Sequence, residues 1–301
     1  MTSKPLALLL AIALGSALSP NAAVAQAAAP SSTGGTAAFD PDPWRFNVAL
    51  YGWAISISGN VTARNQTVDV NASFIDLFQK SNSLIGFMGY AEANKGRVGL
   101  YNDLVFAQLG FGRGQTNYRN PIAGLQVSTS ANAAATYQLF IMETGGLYEI
   151  HRWAGTDGSF TAIDGILGIR YWNNTIDLNL DVTANVNLAN LGIDRSFGFA
   201  TARSGTVQWF DPVLGLRLRH AFTPNQEIFV RGDIGGFGIG SQFAWQAVGV
   251  YSYAWQYTGY QVAAVLGFRA LGVNYLSPGS VTGAGINAVL YGPIIGVSFR
   301  F

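Results

Sequence analysis

Arginine and carboxylate side chains recur at alternate positions in this chain, on the polar side of segments whose other side is apolar. The alternation puts Arg45, Glu92, Arg97, Asp103, Glu143, Glu149, Asp164, Arg170, Asp211, Arg217, Arg219, Glu227, Arg231, Asp233, Arg269 and Arg300 on that polar face, as eight arginines and eight carboxylates. Of the 17 basic residues all but Lys4, Lys80 and Lys95 are Arg. Arg is the better side chain for paired hydrogen bonds to carboxylates in a confined space. The chemistry this implies is mutual neutralisation: a charge network of Asp164, Arg170, Asp211, Arg217, Arg219, Glu227, Arg231, Asp233 and Arg269. A hairpin turning at 221–226 brings together positions whose numbers sum to about 447, by antiparallel pairing. Arg217 is then near Arg231, and Arg219 near Glu227. The two arginines need carboxylates between them, and Asp233, Asp211 and Asp164 are available.

Other chemistries find less support. Arg231-Gly232-Asp233 spells an adhesion tripeptide, but both charges lie within a strand and point to its polar face. Gly235, Gly236, Gly238 and Gly240 resemble a phosphate loop with no helix to follow it; glycines in strands more often permit bends and close packing. The two histidines, His151 and His220, fall at proposed turns, away from where a nucleophile or water would need activation. The chain has no Cys, which excludes a disulfide framework, a Cys-ligated zinc and a lipoprotein anchor. No catalytic, cofactor-binding or metal-ligating residue is assigned.

The elements that position the charges follow from composition. The chain of 301 residues is 49% hydrophobic and only 11% charged, against roughly 25% charged in a soluble domain, so much of its surface does not face water. A net charge of +1 gives no reason to expect nucleic acid or an acidic partner. Lys4, the apolar run Leu6 to Leu14 and Ala23-Val24-Ala25 read as a signal peptide of residues 1–25, with a mature start near Gln26. Residues 26–43, rich in Ala, Ser, Thr, Gly and Pro, read as a flexible periplasmic tail. Residues 44–301 read as one all-β domain, a transmembrane antiparallel up-and-down barrel, because alternating strands can meet lipid with one face and enclose polar groups with the other. Ten strands are expected, with eight or twelve as alternatives: 44–57, 84–94, 97–110, 132–150, 160–178, 204–220, 227–239, 242–255, 260–276 and 284–301. An even count leaves both termini in the periplasm. Turns at Lys95-Gly96, His151–Gly158, Ala221–Gln226 and Gln256–Gly259 are then periplasmic, and loops at 58–83, 111–131 and 179–203 extracellular, with a short helix at 74–80. The tryptophans other than Trp209, which points inward, are expected in interfacial girdles. Pro293 implies a bulge or a gap in the ladder.

Several segments resemble a family of uncharacterised outer-membrane β-barrel proteins of Gram-negative bacteria, small monomeric barrels ending in Phe. They are Glu92-Ala93-Asn94-Lys95-Gly96-Arg97, Trp209-Phe210-Asp211-Pro212-Val213-Leu214-Gly215, Arg231-Gly232-Asp233-Ile234-Gly235-Gly236-Phe237-Gly238, Gln242-Phe243-Ala244-Trp245-Gln246 and Gly292-Pro293 with Phe299-Arg300-Phe301. The resemblance covers most of 44–301 and implies location and fold, not activity. The chain departs from it at Gln256-Tyr257-Thr258-Gly259, where the family often carries a basic-aromatic turn. The ending Gly296, Phe299, Phe301 resembles the signal read by the barrel-assembly machinery. The expected partners are that machinery, outer-membrane lipid and lipopolysaccharide; no cofactor and no nucleic acid are expected, and the chain is taken as a monomer. The expected function is a structural or surface-interacting barrel with a charge-plugged lumen. A small selective pore and a lipid-modifying enzyme are the alternatives.

Overall fold

Alternation with period two forces each strand to present one face outward and one inward, and a sheet of such strands can hide its edges only by closing. The computed structural model describes residues 43–63, 66–122, 125–155, 158–188, 193–276 and 285–301. The proposed signal peptide and nearly all of the proposed tail lie outside the described residues. The strands are β1 (Arg45–Trp53), β2 (Ser56–Ala63), β3 (Gln66–Ala72), β4 (Ser83–Lys95), β5 (Val98–Ile122), β6 (Leu125–Ala154), β7 (Phe160–Leu188), β8 (Ile193–Thr223), β9 (Gln226–Gly235), β10 (Phe243–Tyr257), β11 (Tyr260–Leu276) and β12 (Gly285–Arg300). All pair antiparallel. β1 and β4 to β12 form a closed ring of ten, sealed by β1 against β12 from Asn47↔Arg300 to Trp53↔Ile294. Phe46 and Phe301 exchange backbone hydrogen bonds of 3.1 and 2.9 Å at the end of that seam. The all-β barrel of ten strands is thus the architecture the alternation implies.

One end of the ring carries Arg45, Phe301 and tight turns. The pairs Lys95↔Val98, Thr223↔Gln226 and Tyr257↔Tyr260 leave two residues between strands. Gly96, at φ 61°, supplies the left-handed residue that such a turn needs. Strands run further toward this end than the sequence indicates, so His151 and His220 lie in β6 and β8 rather than in turns.

The other end departs more from expectation. The segments 111–131 and 179–203 are not loops. β5–β6 and β7–β8 continue through them as ladders, so that β5 to β8 project as a four-stranded sheet beyond the ring. In β5 and β6 the alternation there rests on Ser, Thr, Asn, Gly and Ala, too weakly apolar to stand out; in β7 it is plain, Ile176, Leu178 and Leu180 against Asp177, Asn179 and Asp181, but its apolar phase is the reverse of the one nearer the turns. The segment 58–83 is likewise not a plain loop. It holds the β2–β3 hairpin and α1 (Phe74–Lys80), the helix expected there. Ser73 caps α1 and forms a capping box with Asp76, whose carboxyl is held below its ordinary pKa by the Ser73 hydroxyl first and Lys80 second. The expected strand 44–57 breaks after Trp53. β2 then pairs with the far part of β12, Tyr291↔Ser56 to Gly285↔Thr62. Pro293, which has no N–H, sits at the gap between the two partners of β12, and its carbonyl accepts from Ala54 N at 3.0 Å. The expected strand 227–239 ends at Gly235. Gly236, Phe237 and Gly238 have φ of 85°, 50° and 76°, a left-handed run that cannot continue a strand.

The outer face is apolar over a band with aromatic borders. At the turn end lie His151–Trp153, His220–Phe222, Tyr253–Trp255 and Tyr257–Tyr260 ring pairs. At the other border Tyr171 touches Phe140 and Phe210, at 6.1 and 4.7 Å between ring centres. On β7 the borders are ten residues apart, Thr161 to Tyr171. At ~3.3 Å per residue and a tilt of ~40° that is about 25 Å, the height of an outer-membrane apolar band. Between them Leu167 and Ile295 are 68% and 70% exposed, a surface compatible with lipid and not with water. Beyond Tyr171 the outer face turns polar: Tyr171 donates to Gln208 at 2.8 Å, and Thr175 and Thr206 hydroxyls meet at 3.0 Å. Among the described residues no helix is long and apolar enough to cross a membrane.

The seam tolerates no side chain at Gly292, where a Cβ would collide with the Ala54 carbonyl, whereas at Gly249 it would meet nothing. A closed ring resists SDS until boiled, and so migrates differently on gels before and after heating. We expect Gly292→Val to lose the unboiled band and Gly249→Ala to keep it; identical behaviour of the two would refute this account of the seam.

Candidate functional site: the filled lumen

The inward face of every strand is set by the ring, so lumen contents can be traced level by level. Next to the projecting sheet lies an apolar layer. It is built from Trp53, Met88, Val105, Ala107, Leu139, Ile141, Trp172, Trp209, Ala244, Leu271, Val273, Tyr275, Leu290 and Ile294, all buried. Nine of the ten ring strands contribute; β9 does not. Trp209 stacks between Trp172 and Tyr275, with ring centres 5.4 and 4.0 Å away and both pairs 15° from parallel. The sequence alternation put Trp209 inward. It did not place Trp53 and Trp172 there, and their expected girdle positions are corrected: both point into the lumen and are buried.

One pleat nearer the turn end, two residues along each strand, the layer becomes charged. Trp172 gives way to Arg170, Ile141 to Glu143, Val105 to Asp103 and Leu271 to Arg269. Arg170, fully buried, lies 2.6 Å from both Glu143 and Asp233. Arg231 pairs with the same two carboxylates, at 2.8 Å to Asp233 and in close contact with Glu143. Tyr101 donates to Glu143 at 2.7 Å and Gln246 to Asp233 at 2.9 Å. Beside this square, Arg217 bridges Glu92 at 2.6 Å and Asp164 at 2.8 Å. Arg219 bridges Asp164 at 2.7 Å and Glu149 at 3.0 Å, and Arg152 caps Glu149 at 2.7 Å. Tyr90 and Asn94 donate to Glu92. On the far wall Arg269 meets Asp103 at 2.7 Å and lies over the Trp53 ring, while Tyr51 donates to Asp103 at 2.6 Å.

Of the residues proposed from sequence, Asp164, Arg170, Arg217, Arg219, Arg231, Asp233 and Arg269 thus meet carboxylate or guanidinium partners. Asp211 and Glu227 do not join that web. Asp211 is buried opposite Arg170 but makes no ion pair among the described residues. It accepts from Ser241 N at 2.7 Å and Trp209 Nε1 at 3.1 Å, holding the short 236–242 loop. Glu227 is not beside Arg219: its register partner is Ala221 and that of Arg219 is Phe229, and it binds Arg300 at 2.8 Å. Arg217 and Arg231 face each other directly. Arg45 and Arg97 are exposed at the rim and reach the carbonyls of Gly96 and Ile150. The sequence reading gave no role to Tyr51, Tyr90, Tyr101, Arg152 or Gln246. The tyrosines share the inward phase of the charges, which was the available signal. Gly296 packs its backbone against Leu50 and Tyr51, and Phe299 and Phe301 lie exposed on the outer face.

Beneath the charged layer a cavity of about 710 Å³ opens toward the turns, with Asn94, Phe160, Asn225, Phe229 and Gln261 among its walls. Among the described residues no group of His, Cys, Asp and Glu could hold a metal. His151 and His220 lie with the girdle aromatics rather than in the lumen.

No family model matches the chain, and no curated protein matches it. Among solved structures it is similar to Ail, the attachment invasion locus protein of Yersinia pestis, with 11% identity, 86% of this chain and 98% of that chain covered, and a TM-score of 0.27. It is similar to a FadL homologue of Pseudomonas aeruginosa at 7% identity, covering 86% of this chain and 89% of that one, TM-score 0.26. The translocator domain of the autotransporter NalP from Neisseria meningitidis matches at 10% identity over 86% of this chain and 88% of that one, TM-score 0.26. Likenesses this slight bear on neither activity nor partner.

Removing one member of a buried ion network leaves its partners uncompensated, at a cost of about 3–5 kcal/mol. Arg231→Ala is therefore expected to lower the melting temperature in detergent well beyond Arg203→Ala, whose side chain is exposed and whose loss costs within about 0.5 kcal/mol. Equal melting of the two variants would show that the network does not hold the lumen together.

Proposed function

We propose that the chain is an integral outer-membrane barrel of a Gram-negative bacterium whose lumen is closed and whose work is done at its surface. The observation that carries this reading is the double filling of the lumen, an apolar layer from nine strands directly above a layer of mutually paired Arg and carboxylates. A ten-stranded ring is only slightly wider than the eight-stranded size that side chains can fill. With the start of β1, the end of β12 and the tight turns on the periplasmic side, the sheet of β5 to β8 extends outward into water. Its outer side carries Asn173, Thr175 and Gln208, and its inner side Ile176, Leu178 and Leu180. A sheet that leaves the bilayer contributes nothing to crossing it, and an apolar inner side open to water is a surface suited to a partner. The pore alternative needs a path through both layers. The enzymatic alternative needs a base near the outer rim, and both histidines lie at the turn end.

Planar-bilayer recording decides between barrel and pore. The purified full chain is expected to insert without steady conductance, and Trp172→Ala to remain silent because the ion-paired layer below still closes the lumen. Stable open-channel currents from the wild-type chain would overturn the closed reading.

A further inference from the structure

The projecting sheet has two free edges, and they differ. Beyond the ring, β5 has no neighbour on one side from Gly112 to Ile122, and β8 has none from Asp194 to Gln208, among the described residues. The β5 edge carries Gly112, Arg113, Gly114, Arg119 and Pro121, the charged and strand-breaking residues that keep an edge from recruiting another strand. The β8 edge carries no Pro, and its charged residues, Asp194, Arg195 and Arg203, flank an uncharged middle, Phe197-Gly198-Phe199-Ala200-Thr201-Ala202.

Backbone geometry says which groups of β8 are free. A strand residue directs its N–H and C=O to the same side, and the side alternates. Pro212 O accepts from Gly236 N at 3.1 Å, so Pro212 faces the β9 side. The β7–β8 ladder runs without a register shift from Phe160↔Ala221 to Leu188↔Ile193. Every even-numbered residue above Pro212 therefore turns its N–H and C=O away from β7. Ala200, Ala202, Ser204 and Thr206 present an unpaired row of donors and acceptors. Phe197, on the inner side next to the edge, is 62% exposed, and the apolar row Ile176, Leu178, Leu180 lies on the neighbouring strand.

We propose that this edge, Asp194–Gln208, is a docking site for an extended peptide segment of a partner protein, which joins the projecting sheet as an added strand. The row of free backbone groups fits another backbone, and neither a lipid nor a sugar offers donors and acceptors at strand spacing. The faces of the sheet set the segment's chemistry. Side chains on its inner side meet Phe197, where they must be apolar, and Thr201 and Arg203 nearer the ring; those on its outer side meet Ser204 and Thr206 and must be polar and uncharged. The segment alternates accordingly. The proposal rests on the surface reading above in naming how the surface engages its partner.

The test uses the full chain in detergent micelles and a synthetic peptide of alternating Thr and Val flanked by lysines. Hydrogen exchange of the β8 amides between Asp194 and Gln208 is expected to slow on peptide addition, with the β5 edge unchanged. Ala202→Pro removes a donor from the free edge while leaving the β7 ladder intact, and is expected to weaken peptide binding roughly tenfold with unchanged gel mobility. Binding indifferent to Ala202→Pro, or protection confined to other strands, overturns the proposal. Protection that appears without peptide and rises with barrel concentration also overturns it, by assigning the edge to a second copy. Conductance with an edge that still binds peptide would sink only the closed-lumen reading; a silent barrel with an unprotected edge would sink only this one.

Discussion

Charge matching inside a narrow ring is the constraint on which the rest of this structure depends. A buried guanidinium or carboxylate left alone is costly, and a ring of strands delivers side chains to the interior only at every second residue. Register must therefore bring opposite charges together across strands. Glu143 faces Arg170, and Asp164 faces Arg217. Where like charges face each other, opposite charges on the same strand, the next strand or across the lumen compensate. Arg217 faces Arg231, but Asp164 and Asp233 take one each; Asp103 faces Glu143, but Arg269 and Arg231 divide them. A slip of one residue would turn all these charges into lipid and the leucines of β8 into the lumen.

The apolar layer depends on the same alternation. Trp172, Ile141 and Leu271 follow the charges on the same inward phase, so one rule fills two levels with different chemistry. The result is asymmetric. Toward the projecting sheet the lumen is sealed by stacked rings, and toward the turns it opens into a cavity bordered by paired charges and amides. Solute would have to displace both layers to pass.

The outer face shows where lipid ends. The change from Tyr171 and Phe210 to Asn173, Thr175 and Gln208 occurs at one level on the adjoining strands β7 and β8. Beyond it the sheet continues with the reverse arrangement, polar outside and apolar inside, because its outer side no longer meets acyl chains. Its inner side has no opposing wall to close it. Strong hairpin pairing holds this extension up, and pairing is also what leaves its flanking edges open.

Much of the barrel could be read from residue order alone. Leu214, Leu216 and Leu218 against Arg217 and Arg219, or Ile163 and Leu167 against Asp164 and Arg170, determine strand, phase and direction, since lipid and lumen ask for opposite side chains at successive positions. The ring of ten follows from counting such segments. Residue order also determined which charges point inward. It did not determine their partners. Asp211 and Glu227 have the right phase, yet one holds a loop and the other meets Arg300, because a left-handed turn at 236–238 and the register that sets Glu227 against Ala221 decide which groups come within reach. The projecting sheet is hard to read for a related reason: on β5 and β6 Ser, Thr, Asn and Ala blur the alternation, and on β7 the apolar phase reverses, from Leu167, Ile169 and Tyr171 to Ile176, Leu178 and Leu180, as the lipid-facing side gives way to a water-facing one. Sequence periodicity records what each side chain must face; only the tertiary structure decides what it touches, because contacts depend on the register between strands that are distant along the chain.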